Sequence, residues 1–325
     1  MKSTLLNKAK QEINFNGYTY VAHLAAVGND KLMTKEIGES PTTASQAVYG
    51  YGVAANVKAM QALISECTDK TKATRMAVRG LVRGNHLKEL YKIKEYRNYK
   101  ADIVFGYAQA GNEGMVATMV NKEPALFEAA VQGYASVGND AALLDLVKGT
   151  QFYGEAISHA AKAGHVDLVN QLLDAVGFSE DLDSVNDKEK IRLLGFLNKA
   201  LSGYCKGFHL EAAGNLLKKG ANIQTALDAL KVGGKPCLDA YIGLYVASPD
   251  EISQDLLDQI QTELTLDEAS LSSSQVATIK KLRTDFGKSG STVVSFLSGL
   301  PSGGLNVFEE LDDYYNGFVA KNSSR

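Results

Sequence analysis

A glycine followed by asparagine or histidine recurs along the first half of the chain at nearly constant spacing. Alanine replaces the glycine in one copy, and successive anchors lie 27, 29, 27, 27 and 26 residues apart. The anchors are Gly28, Ala55, Gly84, Gly111, Gly138 and Gly164. Glycine and asparagine adopt the left-handed backbone conformation that ends many helices, so each anchor predicts a turn. A fixed period of this length is typical of a repeat architecture.

Each anchor has a small residue before it and the same apolar pattern after it. In the copy at Gly164, leucine or valine stands four, five, eight and nine residues after the glycine, and Ala161 stands three residues before it. Apolar residues at this spacing form one stripe along a helix, and alanine beside the turn lets two helices approach closely. We therefore predict antiparallel helix pairs that are too small to fold alone and must stack on their neighbours.

Two weaker copies of the anchor follow near Gly207 and Gly233, the first after a gap of 43 residues. The extra length coincides with a polar stretch at 179–190, SEDLDSVNDKEK, which we expect to be an inserted loop. The sequence thus predicts an all-α solenoid of about eight short antiparallel helical hairpins with a period of about 27 residues. We expect an N-terminal cap segment at 1–17, the repeats at 18–247, and a C-terminal helical cap with an acidic tail at 248–325.

The composition weighs against nucleic-acid-binding, disulfide-rich and membrane-spanning proteins. The net charge of −3 gives no overall attraction to nucleic acid or to a membrane, so we do not expect a nucleic-acid partner. Three cysteines without a CxxC pair indicate a reducing compartment, and the chain shows no secretory signal and no long apolar run. We expect a soluble protein in the cytoplasm of the producing cell.

Two segments resemble the ankyrin repeat. Residues 155–173 read EAISHAAKAGHVDLVNQLL, and residues 216–223 read LLKKGANI, which is similar to the end of an ankyrin repeat. The resemblance implies stacked helical hairpins that bind proteins. The chain departs from the family in two ways, since it lacks the Thr-Pro-Leu-His opening and its period is shorter than about 33 residues. We therefore expect shortened connections without the protruding β-hairpin of that family.

The end of the chain carries an acidic cluster and then a short polar tail. Glu309, Glu310, Asp312 and Asp313 lie about a dozen residues from the last residue. This arrangement resembles the C-terminal signal of effectors that intracellular bacteria export through type IV secretion systems. The resemblance implies a virulence protein that is translocated into a host cell. An ordinary acidic surface helix is the alternative interpretation.

A basic block occupies residues 69–100, with ten bases against three acids. Arg75, Arg79 and Arg83 are spaced four residues apart and therefore share one face of a helix. One hypothesis is a basic face for a phosphorylated or acidic partner, such as a phosphoinositide or a nucleic acid. Any membrane contact would then be peripheral and made through this face. The alternative is an outer face that only meets solvent.

A search for catalytic chemistry gives one candidate pair. Cys205 stands four residues before His209, a spacing that lets a thiol and an imidazole meet on one helix. An enzyme that modifies a host protein is therefore an alternative function, and a buried thiol beside a turn histidine is the other interpretation. His159 and His165 are six residues apart rather than four, which is not the spacing of a helical metal site. We predict no catalytic residue, no metal and no cofactor.

The patterns together predict an interaction scaffold rather than an enzyme. We expect it to bind a host protein through a concave surface that the first helices and the turns line. Tyrosine suits such surfaces because it supplies contact area at low entropic cost, and packing between the repeats is the alternative role for the tyrosines. The contact candidates are Asn29, Tyr107, Asn112, Tyr134, Asn139, Tyr153 and His165, together with Arg75, Arg79 and Arg83.

Overall fold

The computed structural model of the chain describes residues 14–15, 18–39, 41–178, 184–230 and 244. A short antiparallel ribbon of β1 (Asn14–Phe15) and β2 (Tyr18–Thr19) precedes the first helix. Fifteen α-helices have both ends within the described residues, so the predicted all-α class is confirmed for them. Seven successive helix pairs account for fourteen of these helices, and one helix follows them.

The first helices of the pairs are α1 (Tyr20–Ala26), α3 (Ala44–Val53), α5 (Lys70–Arg83), α7 (Lys100–Gln109), α9 (Phe127–Val137), α11 (Tyr153–Ala163) and α13 (Asp187–Gly207). The second helices are α2 (Asp30–Glu39), α4 (Val57–Glu66), α6 (Leu87–Leu90), α8 (Glu113–Lys122), α10 (Asp140–Val147), α12 (Val166–Ala175) and α14 (Leu210–Lys218). The last helix is α15 (Ile223–Ala229), and 3₁₀ helices span Pro41–Thr43, Tyr96–Tyr99 and Pro124–Leu126.

The helices pack in the order of the chain. Each first helix contacts the first helix of the next pair, from α1 through α13 to α15, and each second helix packs on its own first helix. The first helices therefore supply most of the core, whereas the second helices cover one side of it. Helix α3 buries eight of its ten residues, and α4 buries only Met60.

The first helices approach one another closely because glycine stands at one repeated position. This glycine stands five residues before the left-handed residue of the turn. Its Cα lies against a carbonyl oxygen of the preceding first helix. An added Cβ at Gly50 would lie 2.0 Å from the oxygen of Ala22, and one at Gly80 would lie 2.2 Å from that of Tyr49. Any larger side chain would have to push the helices apart. The same position is held by Gly106, Gly133 and Gly203.

Most of the predicted turn anchors are confirmed by a left-handed backbone. Positive φ angles occur at Gly28, Ala55, Gly111, Gly138 and Gly164. In two copies the turn falls one residue later, at Asn85 (φ 58°) and Phe208 (φ 62°). Gly84 and Gly207 are needed there for space instead, since a Cβ would meet the carbonyl oxygens of the preceding hairpin.

The inserted loop is shorter than predicted. Helix α13 begins at Asp187 and is capped by Asn186, whose side chain accepts a hydrogen bond from the backbone of Glu189. The prediction of a loop is therefore wrong for the last four residues of 179–190, because this cap starts a helix of 21 residues. Residues 179–183 lie outside the described residues.

Several other predictions also fall outside the described residues: most of the N-terminal segment 1–17, the turn near Gly233, and the C-terminal region 248–325 with its acidic tail. Where helices are described, none of them combines the length and the apolar character needed to cross a membrane.

Candidate interaction surface

Asparagine at the start of a second helix caps that helix. The residue after each left-handed turn residue is the N-cap, and four of these residues are asparagines whose side-chain oxygen accepts the backbone N–H three residues further on. The donor–acceptor distances are 3.1–3.4 Å. The four capping asparagines are Asn29, Asn56, Asn112 and Asn139. Three of the predicted contact residues thus have a local structural role.

Histidine at the same position bonds to the preceding hairpin instead. The ring contacts a carbonyl oxygen near the end of the preceding first helix, always two residues before its left-handed residue. The pairs are His86 with Val53, His165 with Ser136, and His209 with Lys162. For the first pair the Nε2···O distance is 2.9 Å. These histidines therefore link neighbouring hairpins.

Burial keeps two of these histidines neutral. Desolvation lowers the pKa of His165, and it lowers the pKa of His209 to about 4. The rings of both lie against the turn glycine of the preceding hairpin, Gly138 and Gly164 respectively. The ring of His165, which was predicted to contact a partner, is thus already engaged in part by contacts within the protein.

The prediction that Tyr107 and Tyr134 are exposed contact residues is wrong. They are 7% and 2% exposed and belong to the core, and each directly follows a close-approach glycine. Tyr51 and Tyr204 occupy the same repeated position. Burial raises the pKa of Tyr134 to about 12, so its hydroxyl remains protonated. The sequence signal was present, since the Gly-Tyr-Ala triplets at 106–108 and 133–135 are 27 residues apart.

The last of the predicted tyrosine contacts, Tyr153, is half-buried at the start of α11 and packs against the core. The side chain retains some accessible surface. Its position is compatible with a role at a surface, but the packing already accounts for the ring.

The three predicted arginines do not form a free basic face. The Nε atoms of Arg75 and Arg79 lie 2.9 and 2.6 Å from the two carboxylate oxygens of Asp102, which is 2% exposed. The Arg79 guanidinium also lies 4.1 Å from the centre of the Phe105 ring. Asp102 lies just beyond the basic block of the sequence, and it becomes a partner only because α7 packs on α5.

The third arginine belongs to a hydrogen-bonded chain across four helices. Arg83 Nη1 donates to the hydroxyl of Tyr49 at 2.7 Å, and that hydroxyl donates to Gln109 Oε1, also at 2.7 Å. Gln109 Nε2 donates in turn to Ser136 Oγ at 2.9 Å. The Arg83 guanidinium covers the ring of Tyr18 at 4.1 Å. Polar groups of α3, α5, α7 and α9 therefore satisfy one another on this face.

Around α11 the first helices carry a different set of polar side chains. His159 stands where five other first helices have the close-approach glycine, and it is half-buried. It makes no hydrogen bond with any described residue. Burial lowers its pKa, with Glu128 and Glu155 opposing that shift and Lys162 and Lys206 adding to it. We define the His159 surface as Glu128, Gln132, His159, Lys162 and Lys206.

An ion pair borders this surface. Lys199 Nζ lies 2.9 Å from Glu155 Oε1, and both side chains are more than a third exposed. Helices α9, α11 and α13 thus present charges of both signs around one imidazole. Unlike the arginines of α5, these groups do not surround a buried counter-ion.

The predicted Cys205–His209 pair does not form a reactive site. Cys205 is fully buried, and desolvation raises the pKa of its thiol to about 12. Nucleophilic attack requires the thiolate, which a buried thiol of this kind does not supply at neutral pH. The imidazole of His209 is engaged with the backbone of Lys162. No group of three or more metal-ligating side chains occurs in the part of the chain that the structure describes.

The chain matches no protein-family model, and no curated protein matches it in sequence.

Proposed function

We propose that the chain is a solenoid of ankyrin-like helical hairpins that binds a protein partner through the His159 surface. The order of the helix contacts supports the solenoid, since each pair packs mainly on the pairs before and after it in sequence. The repeated glycine and turn positions support it as well. Stacked hairpins of this kind leave a long face of first helices open to a partner.

The observation that carries the binding site is His159 itself. The guanidinium groups of α5 bond to side chains of α7 and α3, whereas the half-buried His159 imidazole bonds to no described residue and keeps ring nitrogens that solvent can reach. Ring nitrogens that meet solvent and have no partner within the protein can exchange a water molecule for a hydrogen-bonding group of a ligand. A partner that makes this hydrogen bond in place of water would gain about 1 kcal/mol of binding free energy.

The charges around His159 indicate the chemistry of the partner. Lys206 and Glu128 are exposed on either side of the imidazole, on α13 and α9. A peptide segment with an acidic side chain beside Lys206 and a basic or amide side chain beside Glu128 would match them. We propose such a segment, with mixed charges, as the ligand.

The host-cell origin of this partner rests on the acidic tail, which lies outside the described residues. Export by a bacterial secretion system, a role in virulence and translocation into a host cell therefore stay predictions from the sequence. The His159 surface does not depend on them.

Comparative capture tests the proposal. The full chain is immobilised and exposed to a lysate of eukaryotic cells, and the bound proteins are quantified for wild type and for the double variant His159→Ala, Lys206→Glu. We expect at least a tenfold loss of the specific partner, and the same loss when that partner is purified and titrated.

A matched control variant has the same change of charge at exposed positions away from the His159 surface. Lys58 and Gln61 are exposed on α4, so the variant Lys58→Glu, Gln61→Ala should keep wild-type capture. Equal capture by all three proteins would overturn the proposed surface. Thermal unfolding of each variant shows that a loss of binding is not a loss of fold.

A further inference from the structure

The second helix of the third pair is reduced to a single turn, α6, and we define residues 87–100, from α6 to the first residue of α7, as the basic loop. Helix α6 has only four residues and is followed by turns and by the 3₁₀ helix Tyr96–Tyr99. Apolar or aromatic residues recur at every third position, at Leu87, Leu90, Ile93, Tyr96 and Tyr99. A period of three places side chains on one face of a 3₁₀ turn. This face packs on the core.

The eight positions between these anchors lie mostly at the surface, and four of them hold bases, while Lys100 directly follows the last anchor. Lys88, Lys92, Lys94, Arg97 and Lys100 are all exposed. Glu89 pairs with Lys92, and Glu123 pairs with Lys100. Within the part of the chain that the structure describes, no carboxylate pairs with the other three bases. The basic loop holds five bases and two acids, Glu89 and Glu95, so it is locally positive in a chain whose net charge is −3.

Planar groups accompany these bases. Tyr91 is 59% exposed, and its ring centre lies 5.3 Å from that of Tyr96. The Arg97 guanidinium lies 5.8 Å from the Tyr96 ring centre on the same segment. The basic loop exposes no aliphatic side chain, because its leucines and isoleucine belong to the inward face. It thus lacks the apolar groups that would enter a bilayer.

We propose that the basic loop binds single-stranded nucleic acid. Lys88, Lys94 and Arg97 contact backbone phosphates, and a base stacks on the ring of Tyr91. Such sites combine positive charge along the strand with exposed aromatic rings, and they need no sequence-specific hydrogen bonds. This surface is separate from the His159 surface, since it lies in the third hairpin rather than on α9, α11 and α13.

Fluorescence anisotropy with a labelled 15-nucleotide oligo(U) tests the proposal on the full chain. Three phosphate contacts predict a slope of about −2 in log affinity against log salt concentration. The triple variant Lys88→Glu, Lys94→Glu, Arg97→Glu should weaken binding at least tenfold. Tyr91→Ala should weaken it by about tenfold through lost stacking, and Tyr91→Phe should restore it.

The control variant Lys31→Glu, Lys35→Glu, Lys58→Glu changes the net charge equally at exposed positions of α2 and α4. It should bind like wild type. Equal weakening by both triple variants would reduce the effect to net charge and overturn the proposal. An absence of oligo(U) binding at low salt would also overturn the proposal. The same holds if the chain does not bind oligo(U) but binds vesicles containing a fifth of phosphatidylserine through the same three bases.

Discussion

The polar side chains of the first helices are organised differently in the two halves of the described chain. On α3, α5 and α7, arginines converge on the buried carboxylate of Asp102 and on the hydroxyl of Tyr49. On α9, α11 and α13, the face carries an exposed ion pair and the imidazole of His159. One repeat geometry thus supports a half in which arginines converge on a buried carboxylate and a half in which polar groups pair at the surface. In the function that we propose, the first half contributes stability and the second half provides the binding surface.

The largest effect on stability should follow from removing the buried carboxylate on which the arginines of the N-terminal half converge. Asp102→Ala leaves two guanidinium groups without their shared carboxylate, and we expect a loss of about 3 kcal/mol in the free energy of unfolding. Urea unfolding followed by circular dichroism measures it. Removing the exposed acid of the C-terminal half, with Glu155→Ala, should cost less than about 1 kcal/mol. Similar losses for the two variants would contradict the division into halves.

The pH dependence of unfolding tests the C-terminal half of the chain, because that half contains the buried His209. The pKa of His209 is about 4 in the folded chain and about 6.5 when unfolded, so the unfolded chain binds the proton more tightly. Stability is therefore complete above about pH 6.5 and falls as the pH drops toward 4. The expected loss between pH 7.5 and pH 5 is about 2 kcal/mol from this group.

Urea unfolding at the two pH values checks this expectation. His165 and His159 shift in the same direction and add to the wild-type loss. The variant His209→Asn places at this turn the residue that four other turns use, and it should reduce the pH dependence by about 2 kcal/mol. An unchanged pH dependence would show that protonation of His209 is not coupled to unfolding.

The parts of this structure that the sequence predicted are the local ones. A turn at Gly111 or Gly138 follows from the backbone freedom of one residue and from the apolar stripe beside it, and both are visible in the chain. The helix that starts at Asp187 was missed because its capping asparagine stands inside a polar stretch that otherwise reads as a loop.

The parts that could not be predicted depend on packing between repeats. Arg75 meets Asp102 across 27 residues of sequence, and charge counting along a helix gives no sign of that contact. Tyr107 and Tyr134 were mistaken for surface residues because tyrosine is common both at interfaces and in cores. The repeated Gly-Tyr-Ala triplet is visible in the sequence, but the close approach at its glycine appears only when two helices are placed side by side.

The smallest effect concerns how the two kinds of turn join neighbouring hairpins. His165→Asn exchanges a bond to the preceding hairpin for a cap within its own helix, so one hydrogen bond replaces another. We expect a change of less than about 1 kcal/mol in the total free energy of unfolding. The coupling between hairpins should weaken nevertheless, because the contact across their boundary is lost while the local cap is gained.

Hydrogen exchange resolved by segment distinguishes these two quantities. In the variant, α11 and α12 should exchange earlier than α9 and α10, whereas in the wild type the two pairs should open together. The reverse exchange, Asn139→His, is the matched control at the preceding turn and should tie α9 more closely to α7. If both variants opened as the wild type does, the histidine bonds would add nothing to the cooperativity that the first-helix contacts already provide. The choice of asparagine or histidine would then affect only the local stability of each turn.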